Sequence, residues 1–439
     1  MNALPHGALA LSSLEEQWLQ PGVKGLPITA PLRQGAIGVQ GWNVLHGDTS
    51  YPVALLKTSA LKHNLAWMRD FCARHGALLA PHGKTTMCPQ LFGAQLAHGA
   101  WGITLANSVQ ARLAHRFGVR RVLLANQLVA KSDVRAVLQL LHDDPDFECI
   151  VLADSLAGVA RLAEETNAHP LARPLQVLVE LGLSGKRAGC RTPEEALTVA
   201  RAVAGAPGLA LAGFEGYEGL LVSSDRGVDL AAVAAFVDQL GALVLEADDE
   251  GLFEGTHIVA SAGGSAYFDL VARGFARLPG LSRPLVPILR SGCYLTSDHG
   301  MYQDALSELD AREGLPAGAG LRPALEIWSV VQSRPEPDLA ILTMGKRDAS
   351  HDAGLPVPLL FHRPGPGTPH ALPVDAVILK MNDQHAYLRL PAGPIRAQLA
   401  VGDLVGCGIS HPCTTFDRWP LLLAVDDAYT VHGAFNTFF

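Results

Sequence analysis

From Ala77 onward the chain repeats one pattern: a short apolar run, a loop rich in Gly, Asn or Ser, and then an amphipathic stretch of helical spacing. The apolar runs cover 77–81, 101–105, 121–125, 148–153, 175–183, 209–217, 257–260 and 285–290. Between them lie segments such as SVQARLAHRFG (108–118) and DSLAGVARLAEE (154–165). One helix start is well marked, with Thr192 as N-cap, Pro193 at the first position and Glu195 closing a capping box. Strands alternating with helices predict parallel βα units. Eight of them over about 215 residues predict a (β/α)8 barrel, a fold that takes ~250. A doubly wound open sheet is disfavoured because no GxGxxG follows the first strand.

After Arg290 the texture changes. Segments 322–333, 338–345, 375–383, 385–390, 403–410 and 421–427 are strand-like, lie between Pro/Gly turns and carry almost no helical periodicity. They predict an antiparallel β-domain, with 358–373 (PLLFHRPGPGTPHALP) as a Pro/Gly-rich surface loop. VQGWNVL (39–45) and YPVALLK (51–57) are also strand-like and join it. The expected organisation is α/β plus β, with a barrel over 58–292 and a β-domain from 1–57 and 293–439.

Composition narrows the function. Hydrophobic residues make up 49% of the 439 and charged residues 17%, which excludes a disordered chain or a coiled coil. Acidic residues outnumber basic ones by 42 to 34, for a net charge of −8, and the basic residues form no cluster, so nucleic acid is not an expected partner. The most apolar stretch, AAVAAFVDQLGALVL, is broken by Asp238 and Gln239, short of the ~18 residues of a membrane span. The start, MNALPHGALALSSLEEQWL, lacks the basic region of a signal peptide. Seven scattered cysteines without a CxxC pair read as reduced thiols. The expectation is a cytoplasmic enzyme without a membrane partner.

Several residues can carry chemistry. Lys84, in Pro81-His82-Gly83-Lys84-Thr85, follows the first predicted barrel strand, at the end where barrel active sites form. It is not a P-loop lysine, because that motif needs glycine at position 78, which is Leu. Desolvation would lower its pKa and make it a Schiff-base former; the alternative is an ordinary loop lysine. The loops around Gly263-Gly264-Ser265 and Gly292-Cys293-Tyr294 follow the seventh and eighth strands, where barrels commonly bind phosphate. Arg187 and Tyr217 follow the fifth and sixth, and each alone could equally be a solvated loop residue. His411 and Cys413, two apart at a predicted strand end, suit a shared zinc ion or are a chance pair in a core strand.

Taken in order, these motifs resemble the D-serine dehydratases, from about Tyr51 to Phe439. That family has the alanine racemase fold (fold type III) and uses pyridoxal phosphate (PLP). The resemblance implies Lys84 as the cofactor-carrying lysine, with a phosphate cup of Gly263, Gly264, Ser265, Gly292, Cys293 and Tyr294. It places Arg187 toward the cofactor's phenolic oxygen, Tyr217 near its ring nitrogen, and Zn2+ on His411 and Cys413. D-threonine aldolases look similar, but hold their metal with His and Asp, so Cys413 departs from them. The extension over residues 1 to about 45 departs from the shorter eukaryotic dehydratases and is closer to bacterial amino acid deaminases. The implied activity is a lyase dehydrating D-3-hydroxy amino acids such as D-serine or D-threonine to a 2-oxo acid and ammonia. A retro-aldol lyase releasing glycine and an aldehyde is the alternative, and a non-catalytic PLP carrier is a third reading. The β-domain and the His-x-Cys pair argue against the carrier. A homodimer is expected, since in this fold class the second subunit often completes the active site. Asp383 and His385 are candidates for supporting the metal site or for a structural role.

Overall fold

The computed structural model describes residues 8–221, 223, 225–316 and 318–439; residues 1–7 of the 1–57 segment lie outside the described residues. Two compact units are present. One is built on 68–84 and 92–292, the other on 10–67, 85–91 and 293–439, so the division falls inside the helix Thr58–His75.

The first unit is a ring of eight parallel strands. Leu78–Leu79, Ile103–Leu105, Arg121–Gln127, Glu148–Ala153, Leu175–Leu181, Leu209–Gly216, Ile258–Ala262 and Leu285–Leu289 pair in chain order. The last returns to the first through Ile288 opposite Leu78, and a bridge between His82 and Thr104 joins the first to the second. All eight apolar runs are strands. They read as nearly continuous runs because each strand is buried on both faces. Leu123, Ile150, Leu152, Leu178, Val259 and Ile288 fill the interior, and alternate residues such as Val122, Val151 and Val177 are buried on the other face. Each such burial contributes roughly 1.5–3 kcal/mol. Gly213 cannot be replaced, since its φ is +150° and a Cβ would lie 1.8 Å from the Val259 carbonyl oxygen.

The helices start where the sequence marks them. Thr192 Oγ1 accepts from the Glu195 amide at 3.2 Å, while the Glu195 carboxylate accepts from Arg191 N at 2.7 Å, one residue before the usual capping-box donor. Asn107 and Ser155 cap Ser108–Arg116 and Leu156–Ala168 in the same way. The helix Arg226–Asp249 is long and apolar enough to cross a membrane; here Val233, Phe236, Val237, Leu240 and Val244 are buried within the barrel unit, and Asp238 on its outer side pairs with Arg277.

In the second unit the strand Leu325–Glu336 is the hub. It pairs antiparallel with Val53–Lys57, Leu404–Gly408 and Leu339–Leu342. Leu421–Val425 adds parallel to Val53–Lys57 and antiparallel to Val431–Asn436. The core around Trp328 gathers Leu19, Ile37, Val44 and Leu55 with Leu404 and Leu423. Buried Glu326 is fully engaged: Lys57 pairs with it at 2.9 Å, and Trp328 Nε1 and Tyr429 Oη donate to it at 2.8 and 3.1 Å.

Three local expectations are corrected. Val44–His46, which begins at the end of the 39–45 segment, is a short 3-10 turn rather than strand, capped by Asn43, which accepts from the Leu45 amide, and followed by Gly47 at φ +87°. Only 53–57 of that region is a strand. The beginning of 358–373 is not loop, because Val357–His362 pairs with Leu404–Gly408; a register shift between Pro358 and Leu360 accommodates the proline. A helix, Gln303–Arg312, follows the barrel where little helical pattern was legible.

Candidate active site

In the barrel unit the candidate residues stand at the C-terminal ends of strands. Lys84 lies in the turn Gly83–Thr85, and Gly83 must be glycine because a Cβ would meet Ile103 and Phe92 at 2.6 and 2.8 Å. Next to it, His82 Nδ1 is sealed from solvent without a hydrogen-bond partner. Burial, and then the positive charges of Lys84, Arg290 and Arg187, hold the His82 imidazole well below its ordinary pKa and therefore neutral. Three cations thus gather about one uncharged ring. Arg187 sits in a loop closed by the Leu181–Cys190 bridge, and its guanidinium stands 5.3 Å from the centre of the Tyr217 ring. That ring packs on the next loop, where a Cβ on Gly264 would lie 2.7 Å from it.

The loops after the last three barrel strands are laced together. Glu218 accepts from the Gly263 and Gly264 amides at 3.1 and 2.6 Å, so its carboxyl already fills these two donors, and burial pushes it above the ordinary carboxylate range. Ser291 Oγ donates to the carbonyls of Gly263 and Gly264. Arg290 donates to the Gly216 carbonyl at 2.7 Å and pairs with Glu215 at 2.5 Å. A primary amine near two arginines, one of them beside the Tyr217 ring, fits a phosphorylated aldehyde cofactor whose phosphate lies outside the two amides that Glu218 fills. Ser265 is buried in the same loop.

Burial pushes Glu215 up to about 8 from an ordinary 4.5, even with Arg290 beside it. Because the folded state keeps a proton that the unfolded chain has released, this group favours folding fully below about 4.5, and that contribution is lost as pH rises through about 8. Glu215→Gln is therefore expected to flatten the decline in stability between those limits. Denaturant melts at a series of pH values check it, and an unchanged slope would contradict it.

The metal candidates lie in the second unit. They are not on a strand: the strand ends at Gly408, and Pro412 begins the short helix Cys413–Phe416. The turn still brings them together. His411 Nδ1 is 2.7 Å from Asp352 Oδ2, and Thr414 Oγ1 donates to Asp352 Oδ1 at 2.6 Å. Cys413 Sγ is 3.7 Å from Cys293 Sγ and 3.3 Å from Thr85 Oγ1. Hydrogen bonding from Cys293, and then from His411 and Thr85, holds the Cys413 thiol well below its ordinary pKa. Cys413 and Asp352 in turn push His411 up to about 9. A buried carboxyl, Asp298, accepts from the Gly300 and Tyr302 amides through Oδ1, while its Oδ2 has no partner; it feels the charges of His411 and Cys413. Among the described residues, no group of three or more His, Cys, Asp or Glu is assembled around a common point. Imidazole anchored by carboxylate beside a thiol that favours its anion nevertheless fits a zinc-class ion. Asp383 pairs with Arg347, and His385 lies in the turn of the same hairpin; Asp352 is the carboxylate on His411.

Sequence reasoning missed His82, Glu218, Arg290, Asp298 and Asp352. Glu218 was within reach, adjoining Tyr217 in a Gly-flanked motif. Asp352 had no signal, because the fold alone brings it to His411.

Residues 56–269 match the family model of the alanine racemase N-terminal domain, and residues 324–425 match that of the putative serine dehydratase domain. The two matches follow one another along the chain, the racemase-type match over the barrel and the dehydratase match over the β-domain. D-threonine aldolase of an Arthrobacter species is 24% identical over 376 residues, covering 86% of this chain and 89% of its own. The crystal structure of D-threonine aldolase from Filomicrobium marinum superposes with a TM-score of 0.73 at 24% identity, over 90% of this chain and 97% of that one. D-threo-3-hydroxyaspartate dehydratase from Delftia sp. HT23 gives 0.70 at 20%, over 90% and 99%, and a cysteine-to-alanine variant of that enzyme is described in a metal-free form. These structural likenesses establish a shared fold for the barrel and the β-domain. The relatives are lyases, an aldolase and a dehydratase.

Proposed function

We propose that the chain is a lyase that dehydrates D-3-hydroxy amino acids of the D-serine or D-threonine type, with PLP on Lys84 and zinc on His411 and Cys413. The observation that carries this reading is the Asp352–His411–Cys413 arrangement, an imidazole held by a carboxylate two residues from a thiol that lies against Thr85 and Cys293. When bound, the cofactor takes up negative charge from Cα and the zinc ion acts as a Lewis acid toward the β-hydroxyl.

The chain's own residues do the rest. Lys84 Nζ would hold the cofactor, and as a free amine it would take the proton from Cα. Neutral His82 adds no fourth positive charge beside that amine, which favours Lys84 as a base. Arg187 and Tyr217 would orient the ring between the loops after the fifth and sixth strands. For D-serine, the water lost from Cβ is regained when the imine carbon is hydrolysed, so the net products are pyruvate and ammonia.

The aldol reading has one observation in its favour, the alignment of the Arthrobacter D-threonine aldolase along 86% of this chain. Assay on a panel of D-3-hydroxy amino acids separates the two. The expected result is 2-oxo acid and ammonia in equal amounts without glycine. Glycine with an equal amount of aldehyde would establish the aldolase instead.

A further inference from the structure

Cys293 was singled out for its backbone, as part of a glycine loop, yet its side chain touches Cys413. Resting on the metal reading above, we propose that Cys293 is a third protein ligand of that centre, making it a two-sulfur, one-imidazole site.

The first reason is spacing. Two sulfurs bound at ~2.3 Å to one tetrahedral ion stand about 3.8 Å apart. Cys293 and Cys413 are 3.7 Å apart, whereas a disulfide would need ~2.05 Å. The second reason is that Cys293 is held in place. It opens the turn Cys293–Leu295, whose ends are fixed by Ser297 N donating to the Cys293 carbonyl at 2.7 Å and by Asn64 Nδ2 donating to the Leu295 carbonyl at 2.9 Å. The third reason is the count of donors. Asp352 occupies His411 Nδ1, which leaves Nε2 for a metal. His411 and Cys413 alone fall one short of the three protein ligands that zinc enzymes usually supply. Cys293 completes three and leaves one position open for the substrate hydroxyl. Two thiolates also set the preference, toward zinc-class ions and away from magnesium or manganese. Among the described residues the three donors are not gathered around one point, so the inference requires them to draw together when the metal binds.

The test counts sulfur in the full-length holoenzyme loaded with zinc. X-ray absorption at the zinc edge is expected to show two sulfur neighbours at ~2.3 Å. One sulfur neighbour would overturn the role of Cys293 and leave the His411–Cys413 site standing. A protein that retains no zinc would overturn that site and this inference together. Chelator competition gives a second readout: Cys293→Ser is expected to weaken zinc binding at least about tenfold, with circular dichroism unchanged. Affinity within twofold of the parent in a folded variant would overturn the inference. The sulfur count needs no variant, so a misfolded Cys293→Ser protein does not rescue it.

Discussion

Lys84→Ala is expected to lose at least ~10⁴-fold in kcat on the preferred D-3-hydroxy amino acid, because in the proposed reaction one side chain would serve as both cofactor anchor and Cα base. The fold should survive, since Lys84 lies in a turn at the strand end rather than in the apolar core. Borohydride reduction of the parent followed by peptide mapping should place the pyridoxyl group on Lys84. A label on Lys186, in the exposed loop before Arg187, or on Lys131, which pairs with Glu165, would overturn the assignment. With one base on one face, only the D enantiomer should turn over, and comparable rates for D- and L-serine would contradict a single Lys84 base.

Removal of the metal is expected to cost nearly as much. A Lewis acid contributes several kcal/mol when hydroxide leaves, and each ~1.4 kcal/mol is about tenfold in rate. Chelation, or Cys413→Ala, should therefore lower dehydration of D-serine by about 10²–10⁴-fold. β-Chloro-D-alanine is the control, because chloride leaves without metal help. The same treatments should leave most of the activity on the chloro compound. Equal loss on both substrates would make the metal structural, and no loss on either would return His411 and Cys413 to an ordinary turn.

The barrel was legible because strands buried on both faces announce themselves as apolar runs, and because strand ends decide where loop residues gather. Lys84, Arg187, Tyr217 and Gly264 converge for that reason. The β-domain was less legible in detail. Asn43 and Gly47 turn an apolar segment that looks like strand, and a proline hides a strand that is real. Partnerships set only by tertiary structure left no trace in spacing. Asp352 reaches His411 across 59 residues, and Glu218 fills two glycine amides from a neighbouring loop.

The pairing of Leu56 with Leu325 and of Leu55 with Leu423 fixes an order of assembly. On the ribosome, strand 53–57 emerges before the barrel, but its partners emerge last. The barrel pairs neighbours in sequence and can close early, whereas the second unit must wait for the C-terminal third of the chain. Until then an apolar strand stands with both edges open, which is a template for pairing with another molecule. Slow synthesis past residue 292, or truncation before residue 421, should therefore send this chain to aggregates while its barrel is already folded.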